Sequence, residues 1–176
     1  MTGNASDAIK ARIRDVPDFP KPGIVFKDIT PLLADPTAFK LCLDVTAAHF
    51  ASVTLDAIVG IEARGFIFGA ALAARMHKAF VPARKPGKLP AHTRRIDYQL
   101  EYGTDALEMH ADALTPGAKV LIVDDLLATG GTAWAACELV RSLGGEVIAA
   151  SFVVELTFLA GRQRVQPVEV FSLVQY

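Results

Sequence analysis

The chain of 176 residues has the length of one ordinary domain and carries 19 acidic and 18 basic side chains, a formal net charge of -1. A chain this close to neutral gives no electrostatic reason to expect binding to nucleic acid or to an anionic membrane surface. Two distant cysteines, no apolar run of membrane-spanning length and no signal-peptide core predict a cytoplasmic protein without a disulfide framework, folded as a single domain over residues 1–176.

Apolar patterns in the first half of the chain predict alternating helices and strands. Ser6 can cap a short amphipathic helix that runs to about residue 16, and a Pro- and Gly-rich loop with a short extended piece follows. Asp35 and Pro36 are the acid and proline that begin a helix, which we expect to run to about residue 53. Beyond it we predict a buried strand at 56–61, a helix at 65–78 and a strand at 79–84.

The second half begins with a different pattern. Residues 85–111 are polar, with Pro, Gly and weak alternation, and further strands are predicted at 118–125, 146–154 and 168–174, with a helix at 132–143. Apolar strands that alternate with helices predict an α/β fold with a mostly parallel, twisted sheet flanked by helices. Ligands of such sheets bind beyond the carboxyl ends of the strands, where EARG (62–65), DDLLATGGT (124–132) and ELTF (155–158) fall.

The stretch DDLLATGGT combines acids with a glycine-rich turn. Gly130 and Gly131 lead into a helix, where free N–H groups and the helix dipole favour a phosphate, and the neighbouring threonines add hydroxyl donors. Asp124 and Asp125 would repel a phosphate beside them but accept hydrogen bonds from sugar hydroxyls, each worth roughly 1.5–3 kcal/mol. The stretch therefore predicts a sugar-phosphate site. The alternative is a capped strand–turn–helix with solvated aspartates.

VLIVDDLLATGGT resembles the phosphoribosyl-diphosphate signature of the type I phosphoribosyltransferases. The wider chain resembles the adenine phosphoribosyltransferase family in FPKPGIVFKDITPLL, GIEARGFIFGAALA, RKPGKLP, YQLEYGTDALEMH and FVVEL. The resemblance implies a pentosyltransferase of purine salvage, which transfers the 5-phosphoribosyl group from phosphoribosyl diphosphate (PRPP) to adenine and gives AMP and diphosphate. It also implies a small hood, formed by about 1–35 and the C-terminal part, and a flexible catalytic loop at about 85–107.

The resemblance assigns roles to the residues that match around the signature. Asp124 and Asp125 would contact the ribose hydroxyls. The remaining matches to the ribose and 5′-phosphate site are Leu126, Ala128, Thr129, Gly130, Gly131 and Thr132. In EARG, Arg64 would bind the diphosphate, in a loop that often contains a non-proline cis peptide; without the resemblance, a surface Arg at a helix start is an equal alternative.

The basic run at 83–95 predicts an irregular lid beside the phosphate crevice, since Pro86, Gly87 and Pro90 disfavour a helix or central strand. The resemblance implies that Arg84 and Lys88 meet the diphosphate, with Lys88 from its own or the neighbouring subunit, and hence a homodimer. Glu101, with Tyr102 beside it, would be the acid/base near adenine N7. Residue types alone favour a solvent-facing Glu101 on an edge strand.

The base pocket is expected around Phe26, which can stack on a purine. The resemblance implies that Val25 and Lys27 read adenine largely through backbone groups, while Phe26 and Leu156 sandwich it; a core aromatic is the alternative. Many relatives have Arg at Lys27, and Lys lacks its planar fork. Mg²⁺ is expected to arrive with PRPP, near Asp124 and Asp125, without a protein cage. The histidines form no paired spacing and are interpreted as structural or surface residues: His49, His77, His92 and His110.

Three other functions remain open at this point. The first is the same fold acting on hypoxanthine, guanine, xanthine or orotate. The second is a regulator that keeps the PRPP site without catalysis, although the roughly 20 residues before the first matching loop are too few for a winged helix and no basic face is evident. The third is a sugar-phosphate-binding domain without the transfer step.

Overall fold

The computed structural model describes residues 2–99 and 103–176. A parallel five-stranded sheet forms its centre, and two short antiparallel sheets lie beside it. The strands are, in chain order, β1 Arg14–Pro17, β2 Val25–Asp28, β3 Ala57–Ile61, β4 Ala79–Ala83, β5 Thr93–Gln99, β6 Thr104–His110, β7 Lys119–Leu127, β8 Glu146–Glu155 and β9 Glu169–Gln175. The helices are α1 Thr2–Lys10, α2 Thr30–Ala34, α3 Pro36–His49, α4 Gly65–Met76, α5 Gly131–Ser142 and α6 Gly161–Val165.

The central sheet has the strand order β4-β3-β7-β8-β9, and every neighbouring pair is parallel. The inner strands β3, β7 and β8 are largely apolar because both faces of the sheet are covered, and all five residues of β3 are buried. Alternate residues of β7 point to opposite faces: Val120 and Ile122 pack with α5, whereas Leu121 and Val123 pack with α3 and α4. The prediction of an α/β fold with a parallel, helix-flanked sheet is confirmed.

The N-terminal helix is shorter than predicted. It ends at Lys10, and Arg14–Pro17 is a strand that pairs with β2 rather than a helical turn. Pairing across the loop gives these backbone groups partners, and Arg14 adds a 2.6 Å ion pair to Asp28. Ser6 does not cap this helix; it lies inside it and donates its hydroxyl to the Leu173 carbonyl at 2.8 Å.

The start of α3 is as predicted, and its end is not. Asp35 accepts hydrogen bonds from the N–H groups of Thr37 and Ala38, at 3.0 and 3.1 Å, and Pro36 is the first helical residue. The helix ends at His49, about one turn before the predicted position, where the buried Phe50 turns into the core. In the described part of the chain, no helix is both long and apolar enough to cross a membrane.

Much of the predicted irregular lid is regular. Residues 93–99 and 104–110 form an antiparallel hairpin, β5–β6, which packs on α5. The proline and glycine signals at 86, 87 and 90 all precede β5, so they do not interrupt it. Buried Tyr98, Leu107 and Met109 fix the hairpin to the core. The predicted catalytic Glu101 and its neighbour Tyr102 lie outside the described residues.

Candidate active site

A cleft of about 280 Å³ opens beyond the carboxyl ends of β3 and β7. Numbered along the chain, the five strands of the central sheet stand in the order 2-1-3-4-5, so the direction of winding reverses between β3 and β7. A crevice forms there because the connections from these two strands leave on opposite sides of the sheet. The described residues that line it are Glu62, Ala63, Arg64, Lys85 and the run from Asp124 to Ala133.

Asp124 and Asp125 lie at the cleft within β7, as predicted, and the strand continues to Leu127, beyond the predicted end at residue 125. Asp124 Oδ1 accepts the Asp125 N–H at 2.8 Å, and Asp125 Oδ2 lies 2.7 Å from Arg64 Nε. Burial, followed by the charge of Asp125, raises the pKa of Asp124 well above its usual value. Burial also raises the pKa of Asp125, against the charge of Arg64, which lowers it.

Residues 128–132, here called the glycine loop, join β7 to α5. Gly130 has φ +80°, and a Cβ there would lie 2.4 Å from the Gly161 carbonyl oxygen at the start of α6. The loop therefore requires glycine for both its conformation and its close packing. The Gly130 carbonyl accepts the Trp134 N–H at 2.8 Å, which begins the helix and leaves the preceding N–H groups directed at the cleft, where an anion can bind.

The 62–65 turn faces the glycine loop from the end of β3. It contains a cis peptide between Glu62 and Ala63, the type of bond expected from the resemblance. Gly65 begins α4 so close to β7 that a Cβ would lie 2.8 Å from Asp124 Oδ1. This close approach and the Arg64–Asp125 pair hold the 62–65 turn against the end of β7.

Glu62 gathers the basic residues that follow β4. Its Oε1 accepts from the Lys88 ammonium at 2.7 Å; its Oε2 accepts the Lys85 N–H at 2.8 Å and lies 3.4 Å from Arg84 Nε. Burial alone would raise the pKa of Glu62, but the hydrogen bonds from Lys88 and Lys85 and the Arg84 charge outweigh it and lower the pKa to about 2. Arg84 and Lys88 thus contact Glu62, which lines the cleft, without being among the described lining residues themselves.

The base-pocket residues are placed less closely together. Phe26 lies next to the cleft, with the Arg64 guanidinium 5.4 Å from its ring centre and Phe19 edge-on at 5.2 Å. Val25 is exposed. Leu156 directly follows β8, and its N–H donates to the Leu127 carbonyl at 2.9 Å. Neither Phe26 nor Leu156 is among the described residues that line the cleft.

The Lys27 side chain points away from the cleft. Its ammonium lies 2.7 Å from Asp15 Oδ1 and 3.9 Å from the ring centre of Tyr176. Only the Lys27 backbone is therefore free to meet a ligand. The presence of Lys where the resemblance leads one to expect the planar fork of Arg therefore affects contacts with Asp15 and Tyr176.

Four residues near the cleft carry no assigned role in the sequence analysis: Glu62, Lys85, Tyr98 and Arg164. The Tyr98 hydroxyl contacts Lys85 Nζ at 3.1 Å and Thr132 Oγ1 at 3.2 Å. Arg164 on α6 donates to the Gln99 carbonyl at 3.1 Å. Glu62 belongs to EARG and Lys85 to the basic run at 83–95, and in both cases the charge of the side chain could have indicated a role at the site. Tyr98 begins the quoted stretch YQLEYGTDALEMH but received no role there, and no sequence signal marked Arg164; Thr132 and Gln99, their respective partners, are distant along the chain.

A two-loop cleft of this kind, with paired aspartates and a glycine loop at the switch point of a parallel sheet, is the site of a phosphoribosyltransferase. The model of the phosphoribosyl transferase domain matches residues 30–174. The adenine phosphoribosyltransferase of Sorangium cellulosum (strain So ce56) is 60% identical over 173 residues, which cover 96% of this chain and 86% of that protein. That of Solibacter usitatus (strain Ellin6076) is 60% identical over 168 residues, which cover 96% and 97%.

Solved structures give the same result. The adenine phosphoribosyltransferase of Thermoanaerobacter pseudethanolicus superposes with a TM-score of 0.95 at 53% identity, over 97% of this chain and 99% of that one. The Saccharomyces cerevisiae enzyme, complexed with an imino-altritol bisphosphate and adenine, gives a TM-score of 0.93 at 40% identity, over 97% and 99%. The chain belongs to the adenine phosphoribosyltransferase family.

Proposed function

We propose that this protein transfers the 5-phosphoribosyl group of PRPP to adenine, giving AMP and diphosphate. The observation that carries the proposal is the cleft at the switch point, where the glycine loop, the aspartate pair and Arg64 meet. A phosphate on one side, a sugar diol in the middle and a second anion on the other side match the three parts of PRPP in order. Relatives that share 60% of their residues with this chain carry the same name for that activity.

In the proposed reaction, N9 of adenine bonds to C1 of the ribose while the C1–oxygen bond breaks and diphosphate leaves with the electron pair. The glycine loop and Thr132 hold the 5′-phosphate, and Asp124 and Asp125 accept from the ribose hydroxyls. Positive charge develops on the sugar ring, as in glycoside cleavage, and nearby carboxylates stabilise it. Arg64, with Arg84 and Lys88, stabilises the charge that collects on the diphosphate.

The base is proposed to bind between Phe26 and Leu156, with Val25 and Lys27 contributing backbone groups. The position of Phe26 beside the Arg64 guanidinium supports this, because it sets the aromatic face next to the ribose end of the cleft. On the basis of the resemblance, Glu101, with Tyr102 next to it, is proposed to act as the general acid/base that exchanges a proton with the purine as the new bond forms.

Mg²⁺ is proposed to enter with PRPP. The protein donors that fit it are the Asp124 and Asp125 carboxylates, but Asp124 Oδ1 and Asp125 Oδ2 already contact an N–H and Arg64. Two partly used carboxylates suit an ion that keeps water and phosphate oxygens as its other ligands. When bound, the ion would neutralise charge on the diphosphate.

The resemblance also supports a cytoplasmic homodimer with a hood made of the N-terminal elements and the C-terminal end. In support of the hood, these segments contact each other: Ser6 donates to the Leu173 carbonyl at 2.8 Å, and Lys10 Nζ lies 4.4 Å from the ring centre of Tyr176. Light scattering on the purified protein would measure the mass of the assembly and decide between monomer and dimer.

The activity is tested by product analysis. The protein is incubated with Mg²⁺ and PRPP, and adenine, hypoxanthine, guanine, xanthine and orotate are offered separately before the nucleotides are resolved by chromatography. AMP from adenine alone is the expected result. A nucleotide from another base would retain the transfer reaction and overturn the base specificity, whereas bound PRPP without any nucleotide would indicate a regulator or a binding domain.

A further inference from the structure

We infer that Glu62 is a positioning residue that competes with diphosphate for Lys88 and Arg84 and thereby weakens the binding of PRPP and of released diphosphate. The inference rests on the proposed function, which assigns those two cations to the diphosphate. It gives Glu62 an effect opposite to that of the binding groups, because weaker binding of diphosphate favours product release.

The geometry places Glu62 at the centre of the cationic cluster. Its carboxylate is 10% exposed, lines the cleft beside Arg64 and is held by the Lys85 N–H at 2.8 Å, so it cannot withdraw without breaking that bond. Lys88, by contrast, is half exposed at 50% and can swing. The carboxylate is thus the fixed partner and the ammonium the movable one.

A carboxylate and a diphosphate demand the same donors. The Lys88 ammonium has three N–H groups, one of which points at Glu62 Oε1 from 2.7 Å. The Arg84 guanidinium lies against Glu62 and also donates to the Lys88 carbonyl at 2.9 Å. A diphosphate that contacts these groups must share them with Glu62 and must lie near its negative charge, and both effects weaken its binding.

A purely structural role predicts the opposite sign. If Glu62 served only to orient Lys88 and Arg84, its neutralisation would release both side chains and diphosphate would bind more weakly. If Glu62 competes, Glu62→Gln frees the cations and removes a repulsive charge, and diphosphate binds more tightly. The amide oxygen of Gln can still accept the Lys85 N–H, so the turn keeps its anchor.

The experiment is calorimetric titration of the full-length protein with inorganic diphosphate and Mg²⁺. Glu62→Gln is expected to lower the dissociation constant roughly fivefold, the size of an ion pair near a surface, and to lower the KM for PRPP in the same direction. The matched control is Glu108→Gln. Glu108 accepts the Gly87 N–H of the same turn at 3.0 Å, but its side chain touches neither cation among the described contacts, so its substitution should leave the dissociation constant near the wild-type value.

A double-mutant cycle with Lys88→Met provides a second readout. Competition requires that the gain from Glu62→Gln shrinks when Lys88 is absent, whereas independent effects would add. Should Glu62→Gln fail to fold, the carbon-labelled wild-type protein serves instead: the Glu62 carboxyl signal must shift when diphosphate is added, and an unmoved signal overturns the inference.

The outcomes separate the two proposals. A wild-type protein that binds diphosphate, with unchanged or weaker binding in Glu62→Gln, overturns the role of Glu62 and leaves the transferase intact. A wild-type protein that binds neither diphosphate nor PRPP overturns the proposed function, and the Glu62 inference with it.

Discussion

The hydroxyl oxygens of Tyr98 and Thr132 lie 3.2 Å apart and join the β5–β6 hairpin to the glycine loop. Tyr98 is 3% exposed, and its hydroxyl also contacts Lys85 Nζ at 3.1 Å. One residue further on, the Gln99 carbonyl accepts from Arg164 at 3.1 Å. The end of β5, which precedes Glu101, is therefore fastened to the glycine loop and to α6, which packs against that loop, so the positions of the hairpin and of the glycine loop are coupled.

Tyr98→Phe tests this coupling because it removes the hydroxyl and keeps the buried ring. We expect the KM for PRPP to rise several-fold and the stability to fall by about 1 kcal/mol, the usual value of one hydrogen bond. Steady-state kinetics with adenine saturating and PRPP varied would measure the first effect. An unchanged KM for PRPP would mean that the hairpin is held without this hydroxyl.

Gly130→Ala should damage the glycine loop through a steric clash as well as through conformation. Its φ is +80°, and the added Cβ would lie 2.4 Å from the Gly161 carbonyl oxygen. Gly117→Ala is the matched control, since its φ is +79° and nothing lies within 4 Å of the new Cβ. The control should cost about 1–2 kcal/mol for the left-handed conformation alone.

The difference between these two alanine variants isolates the packing of the loop against α6. Denaturant unfolding should show the larger loss of stability in Gly130→Ala, and PRPP binding should be lost only there. Equal stability losses would show that α6 moves away without cost and that the close contact is unimportant.

The sequence predicts those parts of this fold that local pattern determines. The apolar runs of β3 and β7 and the Asp35–Pro36 helix start follow from burial and capping, and all three are found. Strand β1 was missed because its partner β2 lies across a loop, and no pattern within residues 14–17 specifies that pairing. The β5–β6 hairpin was also missed, because its strands gain stability from packing on α5, which lies further along the chain.

The candidate site shows the same division. Residues 124–132 all line one cleft, and the sequence indicates this grouping because the glycines and acids are adjacent in the chain. The pairing of Glu62 with Arg84 depends on the neighbouring positions of β3 and β4, where Ile61 lies opposite Ala83. The motifs do not specify that register. The pairing of acidic and basic side chains at the proposed diphosphate site therefore could not be inferred from the motifs alone.

Asp124→Asn should raise stability while it lowers activity. Because burial and the Asp125 charge raise the folded-state pKa of Asp124, the folded protein loses stability as the pH rises from the unfolded-state pKa to the folded-state pKa, and the full cost remains at higher pH. The Asn variant lacks that cost, and its amide oxygen can still accept the Asp125 N–H. Loss of a charged acceptor for the ribose diol should reduce kcat/KM by about 10–100-fold.

Thermal unfolding at a series of pH values would check the sign. The stability gain of Asp124→Asn should be largest above the folded-state pKa, shrink as the pH falls below it, and vanish below the unfolded-state pKa, where wild-type Asp124 is neutral in both states. A gain that is the same at every pH would assign the effect to packing instead of charge.

Glu101→Ala should keep the fold and lose most turnover. A carboxyl that transfers a proton in the rate-limiting step contributes roughly 10²–10⁴-fold, so kcat should fall within that range while PRPP still binds. Glu101→Gln should behave similarly, because an amide cannot exchange the proton. Near wild-type kcat in either variant would remove Glu101 from the acid/base role.

Lys27→Met should leave adenine recognition almost unchanged. The Lys27 ammonium lies 2.7 Å from Asp15 and 3.9 Å from the Tyr176 ring centre, so its loss removes an ion pair and a cation–π contact behind β2, at a stability cost of about 1 kcal/mol. The KM for adenine should change less than about twofold, since only the backbone of residue 27 faces the proposed pocket. Phe26→Ala is the contrasting variant and should raise the KM for adenine about tenfold or more, because it removes the stacking surface. Equal effects of the two substitutions on the KM for adenine would show that the Lys27 side chain turns toward the base and contacts it directly.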